Sequence, residues 1–295
     1  MLDVVMAVLV AGLTSGAIYA LATVGLSLLW GSMGMLNMAH AAMLTLGGYA
    51  AFTVVTTLGL PVPLGILGAI AAGGMTGLLL YALVVRNLLR SAGASFETNV
   101  LIATVGVGIA LENALLLTYG GQPFRQPVTV SGVISLGPAA VPYQNLMIIA
   151  VSISVMILTA LLLQRTRIGR AIRATAQNRD AAQLMGVPVN RVYLQVLVLS
   201  GMLAGVCGVL VSSITQLSPT LGADPMLKAF VMCVVAGLGN LPGAIVSAFG
   251  LAIVEAVVQY AAGARWGFPA LLGIVIVVLI WRPAGLFGRA QIRRM

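Results

Sequence analysis

Apolar runs of about 20 residues follow one another from residue 4 to residue 281, and this succession constrains the chain more than any other feature. Backbone groups in hydrocarbon must find hydrogen-bond partners within the protein, so runs of this length are expected to be helices. A membrane β-barrel would instead alternate apolar and polar residues over short segments, and none are present. Of the 295 residues 60% are apolar and only 7% are charged. A soluble globular chain carries roughly 25% charged residues, so this one lacks the material for a solvated shell. The expected class is an all-α integral membrane protein, a polytopic helical bundle.

Crossings are expected at residues 4–30, 36–58, 63–85, 97–118, 144–164, 192–214, 226–240, 243–262 and 267–281. Segments 36–58 and 226–240 are weak enough to be re-entrant or broken, so the expectation is eight or nine membrane segments. Asp3 stands where a cleaved leader would carry basic residues, and the first apolar run is too long for a leader core, so that run is expected to stay as a helix. Cys207 and Cys233 lie in apolar runs without CxxC spacing or a nearby histidine, and are read as small core side chains.

The net charge of +9 does not point to nucleic acid, because the basic residues cluster between the apolar runs. The clusters are Arg86 with Arg90, the arginines from Arg165 to Arg191, and Arg282 with Arg289, Arg293 and Arg294. Only Arg125, Lys228 and Arg265 fall outside them. Loops of this kind stay in the cytoplasm, which with nine crossings puts the N-terminus outside and the C-terminus inside.

Two stretches leave the bilayer. The outer one, residues 119–143, is rich in turn formers (Gly120, Gly121, Pro123, Pro127, Gly137, Pro138, Pro142) and is either a receiving surface for a soluble partner or a connector. The inner one, residues 165–191, reads RTRIGRAIRATAQNRDAAQLMGVPVNR. Its first part is expected to continue the preceding membrane helix, with Ile168, Ile172 and Ala176 on one face. Its second part is expected to be a short helix capped by Asn178, running through Ala181, Ala182, Leu184 and Met185, and stopping at Gly186 before Pro188. Small apolar residues facing outward from such a helix suit a cleft in another protein; an amphipathic loop on anionic lipid headgroups is the alternative.

Ionisable groups in hydrocarbon cost several kcal/mol and mark either a pathway or a paired site. His40, Glu112 and Glu255 are such groups, with Asn37 and Asn113 beside them. His40 follows Gly31, Gly34 and Asn37, where the helix is weakened, and a lone histidine makes no metal site. Glu112 and Glu255 have no basic neighbour in sequence. Each is a proton carrier, a partner for His40 or an arginine, or a buried acid bonded to backbone. A second weakened region spans residues 237–243 and contains Asn240, so each half of the chain has one Gly-rich break, as the inverted repeats of transporters do. Asn37, His40, Glu112, Asn240 and Glu255 are the candidates for a translocation path. The single lysine, Lys228, is followed by alanine, so no phosphate-binding GxxxxGK[ST] loop exists and no enzymatic constellation is found.

Taken together these pieces resemble one family. Residues 16–25 (GAIYALATVG), 34–40 (GMLNMAH), 46–49 (LGGY), 169–186 (GRAIRATAQNRDAAQLMG) and 236–244 (AGLGNLPGA), with the closing Trp281-Arg282-Pro283 and Gly285-Leu286-Phe287, are similar to the LivH-type membrane permease subunit of branched-chain amino acid ABC importers. The resemblance covers nearly the whole length, as a single permease domain over 1–295. It implies that Asn178, Arg179, Asp180, Ala181, Ala182, Leu184, Met185 and Gly186 form a coupling helix seated in a groove of an ATPase. It also implies a second, LivM-like permease, two cytoplasmic ATP-binding subunits, a periplasmic solute-binding protein, and a place in the bacterial inner membrane. No cofactor is expected on this chain, ATP and Mg being held by the partner ATPase subunits. One departure stands out: family members often read Asn-x-Ala-His-Gly-Glu where this chain has Asn37-Met38-Ala39-His40-Ala41-Ala42. Urea and short-chain amide importers use close relatives, so those solutes, and other amino acids, are the alternatives to leucine, isoleucine and valine. A proton-coupled secondary transporter is the alternative of another class.

Overall fold

Seven helices among the described residues are long and apolar enough to cross a membrane. The computed structural model describes residues 2–90, 96–136 and 139–288. Gly137, Pro138, Arg289, Arg293 and Arg294 lie outside these, as does the side chain of Arg90. In chain order the helices are α1 (Leu2–Met33), α2 (His40–Phe52), α3 (Val62–Leu80), α4 (Arg86–Arg90), α5 (Phe96–Tyr119), α6 (Tyr143–Arg165), α7 (Arg167–Gln177), α8 (Arg179–Leu184), α9 (Val189–Ser212), α10 (Ala223–Ala236), α11 (Leu241–Ala262) and α12 (Gly267–Trp281). A π-helical turn, Thr53–Thr57, lengthens α2, and another, Tyr81–Val85, joins α3 to α4 as one rod. The seven spans are α1, the α3–α4 rod, α5, α6, α9, α11 and α12. The two expected weak segments are α2 and α10, of 13 and 14 residues, each only about 20 Å long at 1.5 Å per residue.

Helix α9 is the hub: 72% of its apolar window is buried, against 11% for α12 and 22% for α5. In lipid there is no hydrophobic force between helices, so contact relies on close backbone approach through small residues. At the α3–α9 crossing a Cβ on Gly201 would collide with the Gly73 carbonyl, and a Cβ on Gly73 with the Gly201 carbonyl. Gly77 and Gly205 meet the carbonyls of Leu197 and Ala69 in the same way. On the other side of the hub, Gly12 and Gly16 let α1 lie against Ile253 and Phe249 of α11. The pairs α3–α9 and α1–α11 meet where α1 packs on α9, with α2 lying against α3 and α9, and α10 against α1 and α11.

The connection after α5 departs from an all-helical expectation. Two short strands, β1 (Val133–Leu136) and β2 (Ala139–Pro142), pair antiparallel, Val133 with Pro142. Before them, Phe124 and Leu217 exchange backbone hydrogen bonds at 2.9 Å. The buried amide of Gln126 donates to the Gly48 carbonyl (3.1 Å) and to Ser212 Oγ (2.9 Å). Gln144 accepts from the Val130 amide (2.7 Å) and donates to Ser213 Oγ (2.8 Å). Residues 124–130 are therefore pinned across the ends of α2 and α9 by the side-chain amides of Gln126 and Gln144.

The last two motifs of the sequence are one structural unit. The Leu286 and Phe287 amides donate to the carbonyls of Val235 and Ala236 at 2.8 and 3.1 Å, closing the end of α10. Gly237 and Gly285 pack backbone to backbone, both with positive φ (93° and 83°), a conformation that favours glycine.

Candidate functional site

Chain reversal at Gly34, whose φ is +66°, sends residues 34–39 back into the bundle instead of on into a crossing helix. Helix α2 starts where His40 meets Gly25, about 12 Å short of the α1 end at 1.5 Å per residue. The N-terminal amides of a helix have no partner within it, and at membrane depth water is absent. Asn37 supplies the answer: its Oδ1 accepts the Ala39 amide at 3.1 Å, while Thr104 Oγ1 of α5 accepts the Met38 amide at 3.1 Å. Helix α10 begins beside it, the Gly222 amide donating to Thr45 Oγ1 at 2.9 Å. The start of α10 therefore lies against the first turns of α2, at Ala41 and Thr45.

His40 is fully buried between α1 and α9. Its Nδ1 lies 3.5 Å from Ser200 Oγ, which donates to the Gly25 carbonyl at 3.0 Å. His40 and Asn37 thus act in this conformation as polar fittings of the break. Asn240 has a similar task at another helix start: its Oδ1 accepts the Gly243 amide (3.0 Å) and its Nδ2 donates to the Phe287 carbonyl (2.7 Å), so both ends of the side chain are committed to capping α11 and anchoring residue 287. Glu112 is half-buried on α5, and neighbouring Asn113 is exposed and bonds to the Ile109 carbonyl. Among the described residues no hydrogen bond or ion pair joins His40, Glu112 and Glu255.

Glu255 has a partner that the sequence reading set aside. Lys228 Nζ lies 2.9 Å from Glu255 Oε1 and 3.1 Å from Asp224 Oδ2, and donates to the Tyr19 hydroxyl at 2.9 Å. Gln259 Nε2 adds a hydrogen bond to Glu255 Oε1 at 3.1 Å. Lys228 and Glu255 are 8% and 3% exposed, so a charged pair sits inside the bundle and ties α10 to both α1 and α11. Of the options left open for Glu255, neither His40 nor an arginine is its partner; the basic group comes from the one lysine, which the positive-inside pattern had treated as an outlier.

The stretch from residue 165 to residue 191 is built as two separate helices. Helix α7 does not continue α6, because the chain breaks at Thr166 (φ −94°, ψ 163°) and Thr166 caps a new helix by accepting the Gly169 amide at 3.0 Å. The Arg173 guanidinium donates to the Leu163 carbonyl left open by the break. The inward face of α7 is Gly169, Ile172 and Thr175, whereas Ile168 and Ala176 point outward; the spacing of aliphatic residues alone selected the wrong neighbours for Ile172.

Helix α8 runs as expected from Asn178, whose Oδ1 accepts the Ala181 amide at 2.9 Å. It ends in a Schellman closure, the Val187 amide on the Ala182 carbonyl and the Gly186 amide on the Gln183 carbonyl, with Gly186 at φ +84°. Ala182 turns inward, and the groups presented outward are Leu184 and Met185, 88% and 85% exposed. Arg179 lies over the Tyr193 ring, 5.5 Å from its centroid, and holds α8 to α9. Beside α8 opens a cavity of about 510 Å³ lined by Arg86, Arg179, Arg191, Tyr81 and Asn190, so the first two arginine clusters meet there. Removing the cap, Asn178→Ala, is expected to loosen α8 by about 1 kcal/mol. Amide hydrogen exchange at residues 180–182 would register it; unchanged protection there would show that contacts to α9 alone hold the helix.

The family model described as the branched-chain amino acid transport system permease component matches residues 8–280. The chain belongs to this family. The permease is 30% identical to the high-affinity branched-chain amino acid transport system permease protein BraD of Pseudomonas aeruginosa, over 97% of each chain. It is 28% identical to LivH of Escherichia coli over 96% of each chain. A probable branched-chain amino acid transport permease LivH of Methanocaldococcus jannaschii shares 26% identity, covering 91% of this chain and 88% of the relative. The permease is a multi-pass membrane protein, as its apolar helices require.

Proposed function

We propose that this chain is one of two membrane-spanning subunits of an ATP-driven importer whose solutes are leucine, isoleucine and valine. A second, LivM-like permease stands beside it, two cytoplasmic ATP-binding subunits hold ATP and Mg, and a periplasmic binding protein delivers the solute. The arginine-rich end of the bundle is the cytoplasmic one. On that assignment the N-terminus is outside, the C-terminus inside, and α2 and α10 complete nine membrane segments in the bacterial inner membrane. The chain's similarity to branched-chain amino acid permeases supports the solute class.

The observation that carries the reading is α8, a helix capped at both ends that projects Leu184 and Met185 from the basic face. Two exposed apolar side chains on a rigid six-residue peg are costly to leave in water and suit a groove on a partner. We read α8, with Asn178 to Gly186, as the coupling helix. ATP closes the ATPase dimer, the peg moves with it, and the permease pair tilts about the solute path. The difference in ATP affinity between open and closed states supplies the work.

The test is uptake of labelled leucine into proteoliposomes holding this chain with its partner permease and ATPases, binding protein outside, and ATP or ADP trapped within. Uptake only with ATP, competed by isoleucine and valine, is expected. Competition by urea or an amide in place of these would change the solute, and uptake by the lone chain on a pH gradient would replace the mechanism. The double variant Leu184→Asp with Met185→Asp is expected to abolish most ATP-driven uptake while the chain still inserts. Normal uptake by it would remove α8 from the coupling role.

A further inference from the structure

The ion cluster on α10 has one arm that its bracing of α1 and α11 does not use. An ammonium group has three N–H donors, and those of Lys228 are taken by Tyr19, Glu255 and Asp224. Of these acceptors Glu255 is buried and Tyr19 is half-buried, whereas the Asp224 side chain is 67% exposed. The depth of the cluster makes that exposure significant. Tyr19 lies near the middle of α1, about 25 Å from Leu2 and about 21 Å from Met33 at 1.5 Å per residue. A carboxylate open to hydrocarbon at the bilayer centre is strongly disfavoured, so the face carrying Asp224 is covered by water or protein. The cluster also holds one cation against two carboxylates, and Glu255 Oε2 is buried without a hydrogen bond. It is short of one positive charge.

We propose that Asp224 and Lys228 form a transit site at the midpoint of the solute path, where an α-amino acid zwitterion exchanges ion pairs with them. The solute carboxylate replaces Asp224 on the Lys228 ammonium, and the freed Asp224 carboxylate takes the solute α-ammonium. Lys228 and Asp224 stand 3.1 Å apart on successive turns of α10 and offer the same two charges as the solute in reverse order. Every charge therefore keeps a partner throughout the exchange, and no net charge is created in the membrane. Glu255 and Tyr19 hold the ammonium in place while its third partner changes. The site selects for a zwitterionic head group and leaves the side chain to other surfaces. This inference rests on reading the chain as an amino-acid permease.

The experiment uses the assembled importer with Cys207→Ala and Cys233→Ala, and a reporter thiol at Leu227→Cys, an exposed position one turn from Asp224. A charged, membrane-impermeant thiol reagent is expected to label Leu227→Cys in either the nucleotide-free or the vanadate-trapped state. L-leucine is expected to slow that labelling, and the protection is lost when Asp224→Asn is added. Losing one charge-assisted hydrogen bond raises the leucine concentration needed for half-maximal uptake by about 10- to 100-fold, and Asp224→Glu restores part of it. Co-purification of the partner subunits checks assembly of each variant. Labelling only by a lipid-soluble reagent overturns the proposal, as do protection and uptake that are unchanged in Asp224→Asn. Absence of ATP-driven uptake in the parent assembly would instead count against the importer reading.

Discussion

Lys228→Met is expected to destabilise the bundle by about 3–5 kcal/mol, the usual penalty for stranding one member of a buried ion pair. The mutation removes the ammonium that Glu255 faces at 2.9 Å and leaves that carboxylate 3% exposed, with Gln259 as its remaining donor. Tyr19 loses its donor at the same time. Methionine fills nearly the same space as the lysine stem, so the loss is electrostatic and not a cavity. The decisive comparison is the double variant Lys228→Met with Glu255→Leu, in which neither charge remains. Replacing both partners of a buried pair by apolar groups is often neutral, so the double variant is expected to recover most of the stability. Thermal unfolding in detergent, followed by loss of monomer on size exclusion, measures both. A single variant as stable as the parent would mean that the cluster is hydrated and does not brace α10. A double variant no better than the single would place the loss in packing.

The two outcomes separate bracing from transit. The double variant is expected to fold and yet fail to move leucine, because the exchange partner for the solute carboxylate is gone. Asp224→Asn, by contrast, leaves the buried pair intact.

Much of this architecture is visible in the residues themselves. Membrane helices follow from run length, because a spanning backbone has no other way to satisfy its polar groups. The breaks before α2 and after α10 follow from Gly34, Asn37 and residues 237–243, which are local signals. Helix α8 is the fullest case, since Asn178, Gly186 and Pro188 specify its start and stop without help from tertiary contacts. What depends on contacts between distant residues is not visible. Nothing in the run from 226 to 240 says that Lys228 faces Glu255, because that pairing is set by how α10 lies against α11. The end of α6 at Thr166 carries no glycine or proline; the break is made by a threonine cap and by Arg173 reaching back to Leu163. The paired strands β1 and β2 are four residues each and set among turn formers, so their alternation is too brief to read. Asn240 drew attention as a polar residue beside apolar runs, and what the residues alone do not reveal is that its side chain bonds Gly243 and residue 287.

Gly201→Leu is expected to be the most damaging change in the hub. A Cβ at Gly201 lands on the Gly73 carbonyl oxygen, and that obstacle is backbone, which no side-chain rotation removes. Relief requires α3 and α9 to move apart, and then Gly77 and Gly205 lose their close contacts with Leu197 and Ala69 as well. Overpacking in ordinary cores costs about 1–3 kcal/mol and occasionally more. Here the cost falls at the upper end or above it, since helix association in lipid rests on van der Waals fit without a hydrophobic term to offset the loss. Gly106→Leu on α5 is the control, because nothing lies within 4 Å of a Cβ built there. It is expected to be neutral or slightly stabilising, leucine being a better helix former than glycine by about 0.8 kcal/mol. Compensation at Gly73 is unavailable, glycine already being the smallest residue, so a second-site suppressor should appear elsewhere along the α3–α9 crossing. Equal unfolding temperatures for the two leucine variants would show that this contact yields, and that α9 owes its place to the flanking helices instead.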